Sequence, residues 1–171
     1  MEEVTSINAE VLAPKLFNSE LEAGLRAIII LNAFLPRSLD LNEVALYDYF
    51  VVHTRDVGGP ESVHPEISSR SGEYIVRRRV IEGGLKLMHR VNLVKIKSSN
   101  LGVTFESADE TSALLDLMCT TYNEKLKKCA RWLAQRSIVE PNGSFEKYLR
   151  SKIGRWELQF NSSNDVFLGD L

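Results

Sequence analysis

The sequence predicts a mainly helical α+β fold, and three observations support this prediction. Apolar residues recur at helical spacing in several segments that begin at capping residues. Between two such segments, Leu93–Lys97 and Gly102–Glu106 alternate apolar and polar residues around a turn, as a β-hairpin does. With 44% hydrophobic and 26% charged residues, the 171-residue chain has the composition of one globular domain.

The first two helices are predicted from their caps. Ser19 or Asn18 precedes a broadly apolar segment that stops before Pro36, and a glutamate lies three residues after Ser19. We expect this to be the central core helix. Asp40, again with a glutamate three residues later, begins a second helix that ends near His53.

A third, longer helix is predicted from Gly72 to Val91, with Ser71 as its cap. Gly83 and Gly84 lie inside it, and each costs about 1 kcal/mol relative to alanine. We therefore expect either that another element packs closely against this pair or that the helix bends there.

The C-terminal third predicts further helices and one strand. Ser107 is expected to cap one helix, and Thr120 or Thr121 the next. A short amphipathic helix is predicted over Phe145–Ile153, and Trp156–Phe160 alternates like an isolated strand. Such a strand needs a partner, so it also suggests a homo-oligomer.

Three helices, a β-hairpin and further helices follow the element order of a winged helix-turn-helix domain with C-terminal additions. The departure from that pattern is the connection between the second and third helices, which is nearly twenty residues instead of the usual 3–4. We expect a flexible lead-in over residues 1–16, a winged-helix-like domain over 17–136, and a C-terminal helix, strand and tail over 137–171.

This long connection is the most unusual segment. Two glycines before a proline permit backbone angles closed to other residues, and a His-Pro step favours extended backbone. A specialised loop between helices either binds something or covers something. We predict that it docks on a partner, through candidate residues His53, Asp56, Gly58, Gly59, Pro60, His64, Pro65 and Arg70.

Charge is distributed unevenly, although the formal net charge is only −2. Residues 1–66 hold four Lys/Arg against eleven Asp/Glu, whereas residues 70–97 hold eight against two and residues 120–155 nine against three. The candidate nucleic-acid contacts are Arg77, Arg78, Lys95 and Lys97. Consecutive arginines point in different directions on a helix, so one of them should lie elsewhere, paired with the acidic first helices. An arginine-rich interface with a carboxylate-bearing protein is the alternative.

The sequence lacks the usual signatures of catalysis and of membrane insertion. It contains neither a Gly-x-Ser-x-Gly elbow nor a phosphate-binding loop. His53, Asp56 and His64 could join in a metal site, but closure of the loop by an imidazole is the commoner use of such residues. The longest apolar run is too short for a bilayer, and the acidic N-terminus is unlike a signal peptide. We expect a cytoplasmic protein that is not an enzyme and has no metal or cofactor.

Several motifs together resemble one family, the middle component of three-component ABC-ATPase systems. The resemblance covers about residues 16–135. It is carried by the segments Leu16–Arg26, Leu35–Ser38, Tyr47–Tyr49, Asp56–Pro60 with His53, His64–Pro65, Arg70–Glu73, Val76–Arg78 and Gly84–Met88.

This resemblance implies a winged-helix-like, non-catalytic adaptor of a prokaryotic defence system against phage or plasmids. Its partners would be an ABC ATPase of the SMC or Rad50 type and an effector protein, with DNA as a further contact. The alternative interpretation is a winged-helix DNA-binding regulator that acts alone and binds DNA in a salt-dependent way.

Overall fold

The computed structural model describes residues 19–65 and 70–167, with side chains except at 70–73, 75, 141 and 156–167. The predicted lead-in and the alternative cap Asn18 lie outside the described residues, as does the end of the tail. The elements are α1 (Glu20–Ala33), β1 (Leu39–Asp40), α2 (Leu41–Val52), α3 (Arg70–Arg90), β2 (Val94–Ser99), β3 (Gly102–Ser107), α4 (Thr111–Leu117), α5 (Thr121–Val139) and α6 (Ser144–Phe167), with short 3₁₀ turns at Thr54–Val57 and Pro141–Gly143.

Capping residues set the starts of α1, α2 and α5 as the sequence predicts, whereas Ser71, the expected cap of the third helix, lies inside α3. The Ser19 hydroxyl accepts a hydrogen bond from the backbone N–H of Glu22 at 3.2 Å. Asp40 and Glu43 form a complete capping box, each side chain accepting from the other residue's backbone N–H at 2.8 Å. Thr120, rather than Thr121, caps α5.

The three described strands form one antiparallel sheet in the order β1-β3-β2. The predicted hairpin is confirmed, and Ile96 of β2 lies opposite Phe105 of β3. Leu39 of β1 lies on the other side of Phe105. This sheet, with β1 between the first two helices and the hairpin after the third, gives the chain a winged-helix-like α+β fold.

Helix α1 lies at the centre of the core, as predicted. Ala23, Ala27 and Ile28 are fully buried, and the helix contacts α2, α3, α4, α5 and β3. Its closest approach is to α3, where a Cβ at Gly84 would lie 2.6 Å from the backbone nitrogen of Gly24. The glycines inside α3 therefore serve close packing, which is the first of the two expected explanations.

The predicted strand at Trp156–Phe160 is wrong, because α6 continues without a break from Ser144 to Phe167. In sequence, Trp156 and Phe160 follow Ile153 at offsets of three and seven, which is helical spacing. Glutamate, leucine and glutamine between them are good helix formers. The alternation over five residues is therefore equally compatible with a helix, and the homo-oligomer inferred from an unpaired strand loses its basis.

Two further boundaries differ from the sequence prediction. The α4 helix begins at Thr111, not at Ser107, because Ser107 ends β3 and its hydroxyl donates to Asn32 of α1 at 3.3 Å. The domain boundary expected after residue 136 falls within α5, which extends to Val139.

Candidate functional site

The long connection between α2 and α3 begins as an ordered turn. A 3₁₀ turn spans Thr54–Val57 and ends at Gly58, whose φ is +78°. That left-handed conformation strains any residue with a side chain, so glycine is required there. The backbone N–H of Gly59 then donates to the Thr54 carbonyl at 2.9 Å. Gly58 thus fixes the direction in which the chain leaves α2.

The inner side of this loop packs against α5. A Cβ at Gly59 would lie 2.7 Å from the indole ring of Trp132, so only glycine allows this contact. The Thr54 hydroxyl donates to the Pro60 carbonyl at 2.9 Å and lies 3.5 Å from the sulfur of Cys129. A specialised loop was expected either to bind a partner or to cover part of the protein. The inner side of this loop does the second, because Gly59 and Thr54 cover the middle of α5.

His64 joins the loop to two other helices. Its Nε2 lies 3.1 Å from the hydroxyl of Tyr122 on α5, and its Nδ1 lies 3.5 Å from a guanidinium nitrogen of Arg77 on α3. Burial and the charge of Arg77 lower the pKa of His64 to about 4. The ring is therefore neutral at pH 7. Because Arg77 can only donate, we assign the ring proton to Nε2, facing Tyr122.

Beneath His64 lies a buried ion cluster of Arg26, Asp48 and Arg77, each at most 2% exposed. One oxygen of Asp48 accepts from Arg26 Nε at 2.7 Å, and the other accepts from Arg77 at 3.0 Å. Glu22 adds an ion pair with Arg26 at 3.2 Å. Burial alone would lower the pKa of Arg26, but Asp48 and Glu22 together favour the charged form and the pKa is raised. The cluster connects α1, α2 and α3 through charges that compensate one another.

His53 also faces inward. It is 3% exposed, and its ring centroid lies 4.9 Å from that of Tyr49 and 6.0 Å from that of His64. Among the described residues, no group of three or more His, Cys, Asp or Glu side chains could hold a metal ion.

The outer side of the loop is open to solvent. Arg55, Gly58, Glu61 and Pro65 are exposed, whereas Asp56 and Pro60 are half-buried. The backbone N–H of Arg55 donates to the Ser62 hydroxyl at 3.1 Å, so the start of the loop is joined to the residue that follows Glu61. We call Arg55, Gly58, Glu61 and Pro65 the loop surface. Arg70 begins α3, and its side chain is not among those described.

The predicted nucleic-acid contacts are largely engaged within the protein. Arg77 is buried against Asp48 of α2. It is therefore the arginine that was expected to pair with the acidic first helices. Arg78 is exposed and donates to Asn42 at 3.1 Å. Lys95 and Lys97 of the hairpin are exposed and form ion pairs with Asp109 and Glu106 at 2.9 and 2.6 Å.

Sequence reasoning missed Tyr122 and Trp132 as anchors of the loop, and it missed the cluster partners Arg26 and Asp48. One signal was available for Asp48. It stands between two tyrosines in an otherwise apolar helix, where a carboxylate is buried and needs a cation. Nothing local marks Tyr122 or Trp132, because the loop that they contact lies more than fifty residues earlier in the chain.

No helix in the described part of the chain combines the length and the apolar character needed to cross a membrane. Comparison with curated proteins and with solved structures gave no match.

A scan against protein-family models did give a match. The model for ABC-three component (ABC-3C) system Middle Component 2 covers residues 16–159, which extends the similarity beyond the segment that resembled this family in sequence motifs and into α6. The loop, its anchors on α5 and the buried ion cluster all lie within the matched range. The chain therefore belongs to the Middle Component 2 family of ABC-3C systems.

Proposed function

We propose that this protein is a non-catalytic, cytoplasmic adaptor of a prokaryotic defence complex, which bridges an SMC- or Rad50-like ABC ATPase and an effector protein. Membership of the middle-component family supports a role as an accessory subunit. The titratable groups that the fold brings together, Asp48, His64 and Tyr122, are used in contacts between helices. That use fits a protein that presents surfaces to partners.

The main support for this proposal is that the loop between α2 and α3 has a packed inner side and an exposed outer side. Its inner side is fixed by Gly59 against Trp132 and by His64 against Tyr122. Its outer side, the loop surface, is exposed, and the turn at Gly58 and the hydrogen bond from Arg55 to Ser62 order its backbone. A surface that is ordered before binding loses less conformational entropy when a partner docks, so this design favours tight association.

The sharpest test exchanges the two charges of the loop surface. The double variant Arg55→Glu with Glu61→Arg keeps the net charge and leaves the contacts of Gly59 and His64 in place. It also reverses the charge that faces Lys125 of α5, whose ammonium group lies 3.9 Å from the Glu61 carboxylate. Co-purification of the three components should show that this variant loses either the ATPase or the effector. Gly59→Val is a poorer test, because its side chain would clash with the ring of Trp132 and would disturb the fold as well as the surface.

A matched control is available on α3. Lys86 and Glu82 form an exposed ion pair at 2.7 Å, and exchanging them also keeps the net charge. The control exchange should leave the complex intact. Full recovery of both partners with the loop exchange would refute the proposed docking role.

The alternative function is a winged-helix regulator that binds DNA without partners. The element order α1-β1-α2-α3-β2-β3 favours it, since winged helices commonly place the third helix in the major groove. Its support is weaker, because Arg77 is buried and the hairpin lysines are paired with carboxylates. This function requires salt-dependent DNA binding by the isolated protein that weakens in the variant Arg78→Gln.

A further inference from the structure

The outer face of α6 has an unusual composition in its first half. Between residues 144 and 155, the exposed side chains include neither a carboxylate nor an aliphatic group; they are Ser144, Lys147, Tyr148, Arg150, Ser151 and Arg155. The apolar residues of the same stretch, Phe145, Leu149 and Ile153, are buried in the core. In this stretch the helix is therefore basic and polar on the side that faces solvent, apart from the partly exposed ring of Tyr148.

The cations on this face are close neighbours. Lys147, Arg150 and Ser151 are spaced three and four residues apart, which brings them together on one helical surface. Arg155 follows one turn later, so the face extends for about 12 Å along the helix axis. Lys152 lies at its edge, with its ammonium group 5.4 Å from the ring centroid of Tyr148. We call Lys147, Arg150, Ser151 and Arg155 the α6 strip.

The positive charge of the α6 strip is not compensated within the described part of the protein, where Lys147 and Arg150 form no ion pair. Two described carboxylates lie near this stretch. Glu146 points inward to Arg37 at 2.7 Å and accepts a hydrogen bond from Tyr47 at 2.7 Å. Glu140 accepts a hydrogen bond from Ser144 at 3.3 Å and pairs with Arg136. The backbone carbonyl of Ser151 accepts from Arg155 Nε at 3.3 Å. Among the described side chains, neither of these carboxylates pairs with a cation of the strip.

The face formed by α3 and the hairpin carries carboxylates among its cations, although its exposed Arg79 and Arg90 form no ion pair with a described side chain. Lys86, Lys95 and Lys97 are each paired with a carboxylate. The groove of about 580 Å³ between α3, β2 and the start of α1 includes two acids, Glu20 and Glu82, beside its cations. Mixed charge of this kind repels phosphate as well as attracting it.

We propose that the α6 strip binds the phosphate backbone of nucleic acid, so that this winged-helix-like protein contacts DNA away from its third helix and hairpin. Lys, Arg, Ser and Tyr are the side chains that contact phosphates. Protein interfaces are enriched in Arg and Tyr but depleted in Lys and Ser, and they usually include an apolar centre, which the strip lacks. The proposal goes beyond the adaptor function, and either can fail without the other.

The experiment measures binding of the purified full-length chain to a labelled mixed-sequence DNA duplex of about 30 base pairs, over roughly 50 to 200 mM salt. The test variant is Lys147→Gln with Arg150→Gln and Arg155→Gln. The control variant is Lys86→Gln with Lys95→Gln and Lys97→Gln. Each variant loses three positive charges, so the two have the same net charge and differ only in where the charge is removed.

We expect the test variant to lose affinity by about tenfold or more at the lowest salt, and the slope of log K against log salt to fall by about 2 to 3, near 0.9 for each phosphate contact. The control variant should stay within about threefold of the unsubstituted protein. Circular dichroism checks that both variants are folded. If the triple test variant is unfolded, the three single variants replace it, and each should lower the slope by about 0.9.

Three results would overturn the proposal. One is the absence of DNA binding by the unsubstituted chain at the lowest salt. Another is an equal or greater loss in the control variant, which would place the contact on α3 and the hairpin. The third is unchanged DNA binding by the test variant. If that variant also lost the ATPase or the effector in co-purification, the partner of the strip would be an acidic protein.

Discussion

Asp48 is the residue on which the buried charges depend, because it faces two guanidinium groups at once. Replacing it with asparagine removes the negative charge and leaves Arg26 and Arg77 buried beside each other. Breaking a buried ion pair by removal of one partner costs about 3–5 kcal/mol. We predict that Asp48→Asn lowers the free energy of unfolding by that amount, as measured by urea denaturation.

Asp109→Asn is the matched control for this change. Asp109 pairs with Lys95 at 2.9 Å, but its side chain is 87% exposed, so water replaces the lost partner. The urea midpoint of this control should stay close to that of the unsubstituted protein. If both substitutions lowered the free energy of unfolding equally, Asp48 would not be compensating the buried charges of Arg26 and Arg77.

His64 predicts a pH dependence whose sign is fixed by its surroundings. The charged and titratable groups that face it are Arg77 on α3, Arg26 and Glu22 on α1, Tyr122 on α5, and His53. Its pKa is lowered to about 4 from 6.5, so between these values the unfolded chain binds the proton more strongly than the folded protein. The neutral ring therefore contributes stability above about pH 6.5, and that contribution is lost as pH falls toward 4.

The variant His64→Gln isolates this effect, because glutamine keeps hydrogen-bonding groups but does not titrate. We predict that stability falls more steeply from pH 7 to pH 4.5 in the unsubstituted protein than in the variant. Thermal denaturation across this range measures both slopes, and the carboxylates contribute equally to each. Parallel slopes would mean that His64 is not kept neutral in the fold.

At the scale of elements, the contact between α1 and α3 depends on glycine. A Cβ at Gly84 would lie 2.6 and 2.7 Å from backbone atoms of α1, which cannot move aside as a side chain can. Gly84→Ala should therefore destabilise the protein by about 1–3 kcal/mol through overpacking, although alanine is the better helix former. Gly154→Ala in α6 is the control, because nothing lies within 4 Å of its added Cβ.

The control substitution should stabilise the protein by about 0.5–1 kcal/mol through helix propensity alone. Opposite signs for two chemically identical changes, both measured by urea denaturation, would establish the close approach of α1 and α3. If Gly84→Ala also stabilised the protein, the two helices would have to be farther apart than described.

The elements show how far sequence predicts structure here. Three helix starts were predictable because their caps are local, at Ser19, Asp40 and Thr120. The caps expected at Ser71 and Ser107 were wrong, because they lie inside α3 and at the end of β3. The strand β1 was missed because a two-residue strand has no periodicity, and because its partner Phe105 lies 66 residues after Leu39 in the sequence. The segment Trp156–Phe160 was assigned wrongly because five residues were interpreted without the helical pattern that precedes them.

The candidate site was less predictable than the elements. The glycines and His64 marked the loop as unusual. They did not indicate which residues it covers, because Trp132 and Tyr122 belong to a helix far along the chain. Arg77 resembled its neighbours Arg78 and Arg79 in sequence, and only the fold distinguishes it by placing Asp48 beside it. The sequence therefore indicated that some long-range contacts exist, but not which residues make them.

At the scale of the whole molecule, α6 connects the C-terminal part of the chain to the winged-helix-like part. Its residues Phe145, Leu149 and Ile153 lie in the same core as α1, and α6 contacts both α3 and α5. Glu146 adds polar contacts to Arg37 and Tyr47. Although the sequence predicted a separate segment from residue 137, these contacts lead us to propose one cooperative folding unit.

A chain shortened to residues 1–136 tests this proposal. It would lose Phe145, Leu149 and Ile153 from the core, and burial of each such side chain contributes about 1.5–3 kcal/mol. Their combined loss, about 5–9 kcal/mol, is comparable with the total stability of a domain of this size, about 5–15 kcal/mol. We predict that the shortened chain does not unfold cooperatively in urea when circular dichroism and fluorescence are followed together. A sharp transition close to that of the full-length chain would show instead that residues 1–136 fold independently and that α6 is an appended element.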